Sequence, residues 1–208
     1  MILSDKGKAL IFEFEGVDQP SEWPEGDSGI TIGYGDDLGY KTLAEFTKDW
    51  STELAIGALA RLGACCGKKG NAAAKIAPTL ADIHINTSAA RRVFEKRTVP
   101  RYLAATAAAF PGVEHLPQAA QDAIFSLVYN RGGGMHDIHP GDRREMRAIR
   151  DAVAAYAKPD ANRVALLKEI AAQIRSMQRL WKGKHMDGLL KRREAEAKLV
   201  ESCIGTAS

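Results

Sequence analysis

The chain has 208 residues, 45% hydrophobic and 26% charged, with a formal net charge of +3. That balance suits a globular protein able to bury one large core or two small ones, and it excludes a disordered or disulfide-dense chain. No apolar run approaches the roughly 18 residues that a membrane span needs, and the Ala9–Phe14 stretch, broken by Glu13, is too short for a secretory signal core.

Ser4 to Glu15 reads as a first helix, with Ser4 able to cap it, Leu10, Ile11 and Phe14 on one face and Gly16 as its stop. Residues 17–39 then break the helical pattern. Their glycines permit tight turns and close backbone approach, and Ile30-Thr31-Ile32 favours a strand, so this segment reads as a turn-rich β element. Helices follow over Thr42–Asp49 and from Ser51, whose side chain is placed to cap Leu54, Ala58, Leu59 and Leu62 on one face. Cys65–Asn71 is a Gly/Lys loop and Ala72–Ala77 a short helix before Pro78.

Thr87–Phe110 is the longest periodic segment, capped by Thr87 or Ser88, and Pro100 must kink or break it. Pro117 starts the next helix, apolar on most sides through Val128, which predicts a position at the centre of a bundle. After a His/Gly/Asp loop at 135–142, helices are expected over Arg143–Tyr156, from Pro159 through Trp181, and over Gly188–Ser202 with Asp187 as cap.

Cys65, Cys66 and Cys203 show no Cys-x-x-Cys or histidine spacing, so reduced thiols and no metal site are expected. Charge is uneven. Residues 11–37 carry eight acids and no Lys or Arg, whereas residues 175–198 carry eight bases against three acids. The basic end reads as a solvated face or as an attraction for an anionic polymer. A nucleic-acid binder is disfavoured, because no recognised reading motif is present and the acidic N-terminal region would repel DNA.

The acidic region suggests chemistry. Cleaving a glycosidic bond needs one carboxylic acid to protonate the leaving oxygen and one carboxylate to activate water or stabilise the cation-like centre. Glu15 at a helix end, facing a glycine-rich element with further acids, can supply both. The competing reading is a solvated acidic hairpin.

The motifs Phe14-Glu15-Gly16 and Thr31-Ile32-Gly33-Tyr34-Gly35 resemble the phage T4-type lysozyme superfamily, the glycoside hydrolases of the endolysin kind. The longer run Ser28-Gly29-x-Thr31-Ile32-Gly33-x-Gly35-x-Asp37-Leu38-Gly39 is similar to its pesticin-like branch. Leu127-Val128-Tyr129-Asn130-Arg131-Gly132, and Trp181 followed by Gly188-Leu189-x-x-Arg192-Arg193-x-x-Glu196-Ala197, resemble its later segments.

The resemblance implies an α+β, mainly α, lysozyme-like fold in one catalytic domain over 1–208. A small N-terminal β-hairpin lobe at about 17–40 and a larger helical lobe would enclose a cleft. It implies a muramidase that hydrolyses the β-1,4 bond between N-acetylmuramic acid and N-acetylglucosamine in bacterial peptidoglycan. Glu15 would be the general acid, Thr31 would help hold the water, and Asp37 would be the second carboxylate. Asp27 and Glu25 compete with Asp37, since a different spacing in the family points there. Tyr34, Asn130 and Arg131 would bind substrate, with packing for Tyr34 and a structural role for Arg131 as the alternatives. Trp181, Arg192 and Arg193 read as core and salt-bridge residues.

No cofactor, nucleic acid or membrane insertion is implied. The chain would be a monomer, made in the cytoplasm and acting on wall peptidoglycan after release or delivery. An immunity protein would accompany it if it is an effector. The alternative is a non-catalytic peptidoglycan-binding protein on the same fold.

Overall fold

The computed structural model describes residues 1–139 and 141–206. In chain order it forms α1 (Asp5–Phe14), β1 (Thr31–Ile32), β2 (Asp36–Asp37), α2 (Leu43–Trp50), α3 (Ile56–Gly63), α4 (Asn71–Ile76), α5 (Thr87–Val93), α6 (Val99–Ala109), α7 (Gln118–Arg131), α8 (Arg144–Tyr156), α9 (Arg163–Ser176) and α10 (Asp187–Glu201). The chain is therefore α+β and mainly α, with one two-stranded antiparallel sheet among the described residues. It divides into two compact units, Met1–Phe14 with Arg101–Ser208, and Glu15–Pro100. The unit that holds the hairpin thus runs well past residue 40.

The first unit is built around α7. Every residue from Ala120 to Val128 is buried, the polar Gln121, Asp122 and Ser126 included, in keeping with a sequence apolar on most sides. Phe110, Ile124, Leu127, Met146, Ile149, Val153, Leu167, Ile170, Ile174 and Val200 pack into one core with it. Asp122 fastens α1 to α7. Its carboxylate accepts the Ser4 backbone N–H at 3.0 Å, the Ser4 hydroxyl, and the Gln118 amide at 2.9 Å. Gly7 lies against this carboxylate so closely that a Cβ would overlap it.

The second unit carries the hairpin and four helices. Thr42 and Glu45 close a reciprocal capping box at the start of α2, with Glu45 N–H to Thr42 Oγ1 at 3.2 Å and Thr42 N–H to Glu45 Oε2 at 2.8 Å. Asn86, not Thr87 or Ser88, caps α5 by accepting the Ala89 N–H at 2.7 Å. Pro100 does not end the helical run, which continues from the preceding turn into α6. The turn before it, Phe94–Thr98, widens to π geometry, and the Val99 N–H reaches back to the Phe94 carbonyl.

Several ends differ from expectation for local reasons. Ser51 terminates α2 instead of capping α3, which starts only at Ile56. Asn162, not Pro159, opens α9, because its side chain accepts the Ala165 N–H at 3.1 Å. Pro117 sits at the cap of α7 and Asp187 inside the first turn of α10, each one position away from the reading above.

Leu127→Ala tests the central helix. Deleting a fully buried Leu side chain here is expected to cost about 2–5 kcal/mol, read as a lower urea midpoint at unchanged slope.

Candidate active site

Glu15 follows directly on α1 and is half-buried. Three residues on, the chain is pinned to the hairpin. Asp18 bridges Gly33, with N–H to carbonyl distances of 2.7 and 3.0 Å, and its Oδ2 accepts the Gly35 N–H at 3.0 Å. Gln19 completes the clamp. Its amide donates to the Ile85 carbonyl at 3.0 Å and its Oε1 accepts the Ile85 N–H at 2.9 Å.

The hairpin decides which of its two neighbouring aspartates faces which way. Thr31 pairs with Asp37 and Ile32 with Asp36. The Leu38 N–H donates to the Ile30 carbonyl at 2.9 Å, so 30:38 is a hydrogen-bonded pair and 31:37 a non-hydrogen-bonded one. In such pairs the facing side chains approach most closely, with Cβ atoms about 4.5–5.5 Å apart. Thr31 and Asp37 therefore stand side by side on one face.

Asp36 takes the other face and is buried. Its carboxylate lies 2.7 Å from the Lys41 ammonium and accepts the Trp50 indole N–H at 2.7 Å. Lys41 continues to Asp49 at 2.7 Å. Asp36 is thus committed to an internal ion pair.

Asp37 has its own constraints. Oδ1 accepts the Gly39 N–H at 2.8 Å and the Gly29 N–H at 3.0 Å, and it caps the 3-10 turn Leu38–Tyr40. Oδ2 shares the Gly29 N–H at 3.2 Å, which leaves it the oxygen with more capacity for a further donor. A Cβ at Gly29 would collide with Asp37 Oδ1 and the Gly39 backbone, so the glycine there is a packing requirement. The Thr31 hydroxyl is buried and donates at 3.5 Å to the Gly29 carbonyl, a long contact that an incoming acceptor could replace.

The remaining acids fall into place around this face. Asp27 and Glu25 are exposed, Glu25 at a left-handed φ of 72° in the turn before the hairpin. Asp18 counts in the sequence only as one of the eight acids of residues 11–37, although it is the first acid after Glu15. Burial pushes its carboxyl above the ordinary aspartate range despite the Gly35 N–H, and the negative charges of Glu15 and Glu22 push it the same way. Tyr34 is buried, 6% exposed, with its ring 5.8 Å from Phe94 in edge-on contact. Little of that ring is offered to a sugar.

In the other unit, Asn130 and Arg131 are half-buried at the C-terminal end of α7. Arg131 donates to the Asp142 carbonyl at 2.9 Å and stacks 4.9 Å from the Trp181 ring. Burial, with the positive charges of Arg143 and Arg193, pulls its pKa down to about 10. Arg192 and Arg193 are buried beside Glu196, at 3.4 and 2.8 Å, and Glu196 also accepts the Ser126 hydroxyl at 2.6 Å. Arg175 pairs with Glu194 and Glu201, and Arg179 with Glu145. Much of the basic C-terminal charge is therefore matched within the unit. Among the described residues no group of three or more acidic, His or Cys side chains could hold a metal ion, and no helix is long and apolar enough to cross a membrane.

Compared with known proteins, the sequence matches no family model and no curated protein.

The environment of Asp18 has a measurable consequence. A carboxyl with a raised folded pKa contributes stability that is fully present below its unfolded pKa and lost as pH rises through the folded value. Asp18→Asn can still accept the Gly35 N–H but cannot ionise. It should exceed the wild type in stability at about pH 7, and the advantage should vanish towards about pH 3, in urea unfolding at the two pH values.

Proposed function

We propose that the chain is a muramidase of lysozyme-like fold that cleaves the β-1,4 bond between N-acetylmuramic acid and N-acetylglucosamine in bacterial peptidoglycan. The observation that carries this reading is the cross-strand pair of Thr31 and Asp37. The six-residue spacing that suggested the pair is the register of the hairpin, and the other strand aspartate is consumed by Lys41 and Trp50.

Glu15 protonates the leaving glycosidic oxygen. The Thr31 hydroxyl and Asp37 Oδ2 hold a water, and Asp37 accepts its proton as the water attacks the anomeric carbon. Direct displacement by water inverts that carbon, so the first product is the α anomer. The substrate lies outside the cytoplasmic membrane, so the chain reaches it by release from a lysing cell, as a phage endolysin does, or by delivery as an antibacterial effector.

One observation favours a second reading. Asp37 is a good turn cap whatever its chemistry, so a non-catalytic peptidoglycan-binding protein would keep it in the same place.

Purified cell walls separate the two. The muramidase releases muropeptides with reducing-end muramic acid, detected by mass spectrometry; anhydro ends would mean a transglycosylase, and binding without release the second reading. Glu15→Gln and Asp37→Asn should each lower lysis at least about 100-fold with the thermal midpoint retained for Glu15→Gln. Full activity of either variant would remove that residue from the mechanism.

A further inference from the structure

Helices α1 and α10 enclose an apolar groove on the surface of the helical unit. Phe14, at the end of α1, lies 6.0 Å from the Arg192 guanidinium in the first half of α10. At the opposite end, Ser4 before α1 bonds to Asp122 near the start of α7, and Cys203 after α10 meets the Ala119 and Ala120 backbone there. The two helices therefore run antiparallel. Between them is a groove of about 520 Å³, with Lys6, Ala9, Leu10 and Glu13 on its α1 wall and Ala195 and Leu199 on its α10 wall. Lys6, Ala9 and Glu13 are exposed and share one side of α1 at helical spacing, so they form a ridge along the rim.

The ridge carries one charge of each sign. Among the described residues, neither Lys6 nor Glu13 forms an ion pair. Seven residues of helix hold them about 10 Å apart, too far to pair with each other. Lys198, on the α10 wall, is already turned to Glu194 at 3.9 Å. The midpoint between Lys6 and Glu13 falls between Ala9 and Leu10, so the apolar residues occupy the centre and the charges the two ends. A two-fold axis through that midpoint lays a second α1 antiparallel on the first and sets each Lys6 against the partner's Glu13. A pattern that is its own complement under a two-fold is what an isologous interface requires. Ala9 at the axis is small enough for the ridge of one copy to enter the groove of the other.

We propose that the α1–α10 groove is a docking site for a second copy of this chain, giving a two-fold dimer in which the Lys6–Ala9–Glu13 ridge of each copy seats in the groove of the other. Opposite charges at both ends fix the antiparallel register, and burial of Ala9, Ala195 and Leu199 supplies the apolar part of the contact. One helix pair covers less surface than a permanent interface, so the dimer is weak and concentration-dependent. It replaces the monomer that the family resemblance implies, and it does not depend on the muramidase reading.

Sedimentation equilibrium of the full chain at low salt, over a wide range of protein concentration, tests the pairing. The weight-average mass should climb from monomer towards dimer and fall back as salt is added. Lys6→Glu and Glu13→Lys should each weaken dimerisation at least about tenfold, since each sets like charges together at both ends. An equimolar mixture of the two variants should dimerise again, because one chain then presents two acids and the other two bases. Ala9→Arg, at the axis, should abolish the dimer with the thermal midpoint retained, the site being exposed in the monomer. Lys158→Glu, exposed outside the groove, should change nothing. A chain that stays monomeric at every concentration overturns the proposal. So does failure of the mixed variants to associate, or an equal loss in Lys158→Glu. Saturable binding of the amphiphile 8-anilinonaphthalene-1-sulfonate that is lost in Ala9→Arg, with the wild type monomeric throughout, overturns it in favour of a small apolar anion as the occupant.

Discussion

The buried contact of Asp36 with Lys41 and Trp50 is the constraint on which the hairpin unit rests. A charged aspartate is tolerated in that interior only because an ammonium and an indole N–H meet it at 2.7 Å each. Strand alternation then has one outcome. With Asp36 fixed on one face, Asp37 must take the opposite face, beside Thr31. A slip of one residue would bury Asp37 without a cation and leave Lys41 facing Ile32 or Leu38. Two-residue strands carry little pairing energy of their own, so this buried pair and the Asp37 cap do what a longer ladder does elsewhere.

Much of this architecture was legible in the sequence. α7 announces itself through apolar residues on most sides, and burial follows from Ala120 through Val128. The hairpin was legible from its glycines and β-branched residues. Chain ends were not, because small polar residues compete for the same caps. Asn86 outcompetes Thr87 by one position, and Asn162 outcompetes Pro159 by three. The wide turn at Phe94–Thr98 was hidden because a proline signals disruption without saying whether a helix breaks or stretches.

Within the candidate site, the resemblance to the family's motif pointed to Thr31 and Asp37 and set Asp36 aside, without the physical reason for the difference. That needed the partners Lys41 and Trp50, five and fourteen residues further on. Asp18 did not stand out for a related reason. Its place beside Glu15 depends on a bridge to Gly33 and on the Gln19 clamp to Ile85, sixty-six residues away in sequence. The cation cluster around Trp181 was visible only as a basic segment. Most of that segment turned out to be paired, Arg193 with Glu196 included, while Arg131 comes from the end of α7.

The outer edge of the hairpin is closed by residues far along the chain. Gly29 bridges Lys69, the Gly70 N–H reaches the Ser28 carbonyl at 2.9 Å, the Gly67 N–H reaches the Leu38 carbonyl at 3.0 Å, and the Lys69 ammonium rests 3.4 Å from the centre of the Tyr40 ring. Those closures span some thirty to forty residues, so α2 and α3 must be in place before the edge is satisfied. In folding terms this is a high-contact-order event, later than formation of the local helices. The face bearing Thr31 and Asp37 is accordingly assembled late. A nascent chain emerging residue by residue would carry no ordered hairpin until Gly70 had been made, which keeps the acidic face incomplete during synthesis.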